Sequence, residues 1–185
     1  MPPSTSPPSR ASASNPSAVI IRPPSLPGGD DKRPTVFLAG PTSSRSNPDW
    51  RARLCTTLAD APIQLLDPKN TTWDGTWRED RSDARWAAQV DWEMGMRAKA
   101  DVAVFFFEEA GTDAPVSLLE LGLSLGARSS RVLAFASRDY SKKGYVTAAC
   151  DQFGTKVWED EEAFFTFLRA ELLIMCHRRL FTDTG

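Results

Sequence analysis

The sequence predicts a doubly wound α/β domain, a five-stranded parallel sheet with helices on both faces, preceded by a disordered tail. Three observations carry this. After Pro34, short apolar runs alternate with longer helical patterns four or five times, the signature of strand–helix–strand units. One run, Val102–Phe107, is apolar throughout, as a strand buried on both faces requires. Residues 1–33 are mostly Pro, Ser, Ala and Gly, with one apolar cluster at 18–21, too little to offset chain entropy. The ordered domain is therefore expected over 34–185.

The elements follow in order. The run 35–39, closed by Gly40-Pro41, reads as a buried strand. Asn47-Pro48-Asp49 opens a helix carrying Trp50, Leu54 and Leu58, the last two one turn apart. A second strand lies at 63–66 and, after a polar loop, a helix at 83–99. The strand at 101–107 is the clearest of all. It is followed by a helix at 115–128, a strand at 131–136, a short helical stretch around 146–152, a strand at 156–158 and a last helix from about 161 to 179. Right-handed crossovers make the sheet doubly wound, and ligands of such sheets bind beyond the strands' carboxyl ends. The loops 40–48, 67–82 and 107–115 should converge there.

Composition narrows the chemistry. With 22 basic and 24 acidic residues the net charge is −2, which gives no reason to expect a nucleic acid polymer or an acidic membrane as partner. No apolar run approaches the ~20 residues of a membrane span. Cys55, Cys150 and Cys176 are odd in number and widely spaced, which suits reduced thiols of a cytoplasmic protein. The tail is Ser-rich but has only Arg10 and Arg22 as basic residues before Asp30, so a solvated tail is expected over an organelle transit peptide. The single histidine, His177, suits the negative end of the last helix, and no metal or cofactor is expected.

Four groups of residues have types suited to chemistry, each with a purely structural alternative. Gly40, Pro41, Thr42 and Ser43, with Ser44 and Arg45, can hold a phosphate or sugar hydroxyls, or form an ordinary polar turn. Trp73 and Trp77, with Trp86 and Trp92, offer stacking surfaces for a planar ligand, or pack their loop onto the sheet. Gln89 and Glu93 share a helix face with Trp86; an amide can read a base edge and an acid one turn on can pass a proton, unless both are solvated. Asp91 lies on a different face. Glu120 is the only acid of an otherwise apolar helix. It reads either as the last member of a capping box with Ser117 or as a nucleophile kept ionised by the helix N-terminus. Helical geometry sets it roughly opposite Leu118 and Leu125.

The stretches "VFLAGPT", "AAQVDWEMGMRAKADVAVFFF" and "PVSLLELGLSLG" together resemble the nucleoside 2-deoxyribosyltransferase family and its N-glycosidase relatives, over about Thr35 to Trp158. The resemblance implies a Rossmann/flavodoxin-like fold, in agreement with the element order. It implies that Glu120, of the E-L-G, attacks the anomeric carbon, and that Glu93, eight residues before Asp101 and possibly assisted by Asp91, serves the base. It also implies that Asp113 holds sugar hydroxyls and that Gly40, Thr42 and Ser43 contact the sugar or its 5′-phosphate. The partners implied are a small-molecule nucleoside or nucleotide, a nucleobase, and further copies of the chain in a dimer or higher homo-oligomer. A neighbouring subunit often completes the site from the region matching 143–150, where no counterpart is visible. The chain departs from the family in its Trp-rich loop and in lacking a glycine-rich loop after the third strand. The alternative is a non-catalytic nucleotide-binding or scaffold domain in which Glu120 only caps its helix.

Overall fold

A computed structural model describes residues 17–29, 31–42, 48–108 and 113–181. Its strands are β1 (Val19–Ile21), β2 (Thr35–Ala39), β3 (Gln64–Leu66), β4 (Val102–Phe107), β5 (Arg131–Ala136) and β6 (Val157–Trp158). Its helices are α1 (Trp50–Thr57), α2 (Ala84–Lys99), α3 (Pro115–Ala127), α4 (Lys143–Gln152) and α5 (Glu161–Phe181). All strand pairs are parallel, in the order β1-β3-β2-β4-β5-β6. The doubly wound architecture expected from the sequence is therefore present.

The sheet has six strands and not five. The added strand is Val19–Ile21, which lies in the segment expected to be disordered. Alone, three β-branched residues cannot hold a strand, but β3 offers them an open edge, with Val19 opposite Gln64 and Ile21 opposite Leu66. That pairing places β3 inside the sheet and buries all three of its residues.

Alternation along the strands divides the core in two. Val36, Leu38, Val104, Phe106 and Phe135 face α1 and α5; Phe37, Ala39, Phe105, Phe107 and Ala136 face α2, α3 and α4. On the first face Trp50 of α1 stacks on Phe106 at 4.8 Å, and Phe106 on Phe135 at 4.3 Å. At the opposite, amino edge of the sheet Asp101 ties β2 to β4. Its carboxylate accepts from the Thr35 amide and hydroxyl at 2.8 and 2.9 Å, and it also pairs with Arg179 of α5. Strand order reverses between the parallel neighbours β2 and β4, whose following segments diverge to opposite sides. The switch point, where doubly wound sheets bind ligands, thus lies at the ends of Ala39 and Phe107.

Gly40 begins that edge, and packing dictates its identity. A Cβ there would meet the Phe106 carbonyl oxygen at 2.5 Å and the Trp50 ring at 2.8 Å. Gly95, in α2, has nothing within 4 Å of such a Cβ. Gly40→Ala should therefore cost about 1–3 kcal/mol by overpacking, whereas Gly95→Ala should stabilise by about 0.5–1 kcal/mol through helix propensity. Thermal unfolding of the two variants checks both signs.

Candidate functional site

α3 is inside out. Ser117, Glu120, Leu121, Ser124 and Leu125, at i, i+3, i+4, i+7 and i+8, form its buried face. Val116, Leu119 and Leu123 are 57, 60 and 43% exposed. Glu120, only 4% exposed, thus shares the buried side with Leu125 and does not lie opposite it. The capping box fails as well. The helix starts at Pro115, its N-cap is Ala114 in the left-handed region (φ 43°), and no side chain caps it. Ser117 therefore sits inside the first turn, where it cannot act as the cap.

Across the seam, α2 presents Gln89, Glu93 and Arg97, each one turn after the last. Gln89 Nε2 donates to Glu93 Oε1 at 2.7 Å and to the Pro68 carbonyl at 2.8 Å, while its Oε1 accepts from Asn70 Nδ2 at 2.8 Å. Both amide hydrogens are thus committed within the protein, so Gln89 holds Glu93 in place; the expected reading of a base edge has no free donor. Arg97 is buried and donates from Nη1 to Ser124 Oγ at 3.0 Å, one turn beyond Glu120; its Nε has no acceptor.

Burial pushes the Glu120 carboxyl up to about 7, and the neighbouring Glu93 charge adds to the rise, while Arg97 and Arg51 pull the other way. Burial raises Glu93 too, opposed by the Gln89 hydrogen bond and by Arg51. A helix N-terminus holding Glu120 ionised, as the sequence suggested, is therefore not what the surroundings produce. Glu120 is the sixth residue of α3, beyond the first turn over which that effect falls off. The two carboxyls thus oppose each other's ionisation across the seam, with Glu93 raising Glu120.

The carboxyl edge is organised by Arg51 of α1, which no sequence motif singled out. Its guanidinium donates to the Pro41 and Gly40 carbonyls at 2.6 and 3.0 Å and packs over the Trp50 ring at 4.3 Å. Its Nε lies 3.2 Å from the buried Asp67 carboxylate, close enough for charge attraction but out of line for a hydrogen bond. Gly40 and Pro41 are therefore buried backbone anchors, with Thr42 exposed just beyond them. Ser43, Ser44 and Arg45 lie outside the described residues.

The other candidates divide. Asp113, ahead of α3, is exposed; its carbonyl accepts from the Tyr140 hydroxyl at 2.8 Å and its carboxylate from Ser141 at 3.3 Å. Asp91 faces away from the seam, exposed and paired with Arg81 at 2.5 Å, as its helix position foretold. Trp77 lines a cleft that Gln89 also borders, and Trp73 packs against Trp77 at 4.7 Å. Arg51 and Arg97 are the residues sequence reasoning missed. The spacing of Arg97, four residues after Glu93 on one helix face, was the available signal.

A raised acid makes folding take up protons. Between the ordinary glutamate value near 4.5 and about 7, the folded state binds more protons than the unfolded, so Glu120 lowers stability as pH rises through that window. The full effect is about 3 kcal/mol. Glu120→Gln removes it: the variant should match the wild type near pH 4.5 and exceed it increasingly up to pH 8. Denaturant unfolding of both proteins across pH measures this, and a difference that does not change with pH would contradict it.

Among comparisons with known proteins, a search of curated proteins finds no match. A family model described as "Nucleoside 2-deoxyribosyltransferase like" matches residues 33–140, from just before β2 through β5, and so includes Glu93, Asp113 and Glu120. With more than half of its length matched on a six-stranded parallel sheet of the Rossmann/flavodoxin-like kind, the chain belongs to the nucleoside 2-deoxyribosyltransferase-like family.

Proposed function

We propose that this protein cleaves or exchanges the N-glycosidic bond of a nucleoside or nucleotide by double displacement at Glu120. The observation that carries the reading is a nearly buried Glu120, with its acidity moved to about neutrality, beside the half-buried Glu93 on one polar seam. The Glu120 carboxylate attacks C1′ as the C1′–N bond breaks, and the bond's electron pair leaves with the base. Glu93 delivers its proton to that base. Water or a second base then attacks C1′, giving its proton to Glu93 and regenerating the Glu120 carboxylate. Gln89 fixes the carboxyl of Glu93, and Arg51 and Arg97 favour the charged form of Glu120.

The test is a screen of nucleosides, deoxynucleosides and their 5′-monophosphates for free-base release, with and without an acceptor base, read by chromatography. Glu120→Gln should lower turnover by at least about 10³-fold and Glu93→Gln by about 10²–10⁴-fold. A slow-leaving 2-fluoro sugar analogue should add one glycosyl mass to the peptide that contains Glu120. A wild-type protein that releases base from none of them is a binding domain of this fold and not an enzyme of this class.

The exposed face of α3 supports a homo-oligomer. Val116, Leu119 and Leu123 make an apolar stripe, and Tyr145 on the neighbouring α4 is 81% exposed. Leu119→Glu places a charge in the centre of the stripe and should leave a folded monomer. Sedimentation velocity of wild type and variant decides the point.

A further inference from the structure

Residues 17–29 precede the family-matched region, yet they complete its carboxyl edge. Ile21 ends β1 and its carbonyl accepts from the Asp67 amide at 2.9 Å. Arg22 Nε then donates to the Asp67 carboxylate at 2.8 Å, and the Ser25 amide turns back onto the Arg22 carbonyl at 2.8 Å. Trp92 of α2 holds the far end of this turn, its indole N–H donating to the Ser25 carbonyl at 2.7 Å. Pro23 and Pro24 are thereby suspended opposite α2.

Between these prolines and the Trp-rich loop lies a cleft of about 440 Å³, lined among others by Pro23, Pro24, Trp77, Gln89 and Trp92. That volume suits a small molecule. The cleft's polar side chains are already engaged within the protein, Arg85 with Asp83 and over the Trp77 ring. Asn70 bonds Gln89 and Thr72, and Asp74 bonds Thr76. Flat surfaces are therefore what the cleft offers: proline rings and two indoles. A sugar, which needs hydrogen-bond partners for its hydroxyls, is poorly served there, whereas a planar ring is well served. Gln89 joins the cleft to the acid pair, since it borders the one and holds Glu93 of the other.

We infer that this cleft seats the planar heteroaromatic leaving group of the substrate, and that the 22–25 turn and Trp77 determine which ring systems fit. The inference rests on the N-glycoside reading above and adds to it a specificity element from outside the family-matched region.

The experiment compares two substrates of one sugar in the full-length protein: a nucleoside, and the corresponding glycosyl fluoride, whose leaving group needs no cleft. Ala88→Trp, at an exposed α2 position beside the cleft, fills it from the surface. It should raise KM for the nucleoside at least about 10-fold, the scale of one lost stacking contact, while kcat/KM for the fluoride stays within about twofold. Trp77→Ala should raise the nucleoside KM similarly. Pro24→Ala should change the ratio of kcat/KM between bicyclic and monocyclic bases by at least about fivefold. Equal effects on nucleoside and fluoride, or none on either, overturn the inference while leaving the N-glycoside reading intact. Titration of free adenine, followed by tryptophan fluorescence, keeps the two separable if turnover is absent. Quenching in the wild type that Ala88→Trp abolishes supports a ring-binding cleft and rejects the reaction, and no quenching rejects the cleft.

Discussion

The burial of one carboxyl group, that of Glu120, governs the arrangement around it. A helix turns by about 100° per residue, so fixing Glu120 on the inner face also turns Ser117 and Ser124 inward and Val116, Leu119 and Leu123 outward. An apolar outer surface is the geometric consequence of a polar inner one. The same burial raises the group's acidity constant and makes the nearby guanidiniums of Arg97 and Arg51 more than ordinary surface charges. Remove the acid from the inner face and neither the polar seam nor the exposed leucines has a reason to exist.

The scaffold that presents this seam is tied together at the sheet's carboxyl edge. Asp67, at the end of β3, is 1% exposed and meets Arg22 from the β1 turn and Arg51 from α1. Arg51 in turn grips the two carbonyls that follow β2. One buried carboxylate and one buried guanidinium therefore join β1, β2, β3 and α1. Removing either partner alone would strand the other charge in the interior, a far larger penalty than losing an exposed pair. This network also explains why a three-residue edge strand is kept in place: its backbone pairing is reinforced just beyond its end by Arg22.

Most of the fold was legible because its signals are local. Six apolar residues in β4, Asp49 and Asp83 capping α1 and α2 through the Ala52 and Arg85 amides, and the glycine after β2 are all written within a few positions. β1 was not legible, since its stability comes from a partner more than forty residues away. In the site, the acid pair was readable from residue type and offset, but its electrostatics were not. The sequence places Glu120 six residues into a helix; it does not say that the inner face is the polar one. Gln89 was correctly placed beside Glu93, yet its amide proved to be occupied by Pro68, Asn70 and Glu93, and only three-dimensional neighbours could reveal that. Arg51 escaped notice because an arginine near a helix start is ordinary, and its value here comes from the loops that fold over it.

A nucleophile that holds a proton at rest looks ill suited to its task, and the proposed reaction resolves the difficulty. With a value of about 7, Glu120 is half-protonated at neutral pH, while burial raises Glu93 as well, against the Gln89 N–H that favours its charged form. Double displacement needs Glu120 ionised and Glu93 protonated. A sugar losing its base develops positive charge at C1′, and at ~4 Å in surroundings of effective dielectric about 20 that charge attracts a carboxylate by about 4 kcal/mol. This exceeds the roughly 3 kcal/mol by which burial disfavours the ionised acid. The cationic transition state thus supplies the partner that the resting site lacks, so Glu120 is best stabilised as an anion when the glycosidic bond is breaking and not before. An interaction that strengthens only there accelerates the chemical step without tightening the ground state. In the proposed reaction, burying the acid under an apolar helix face is then the means by which its charge is reserved for that moment.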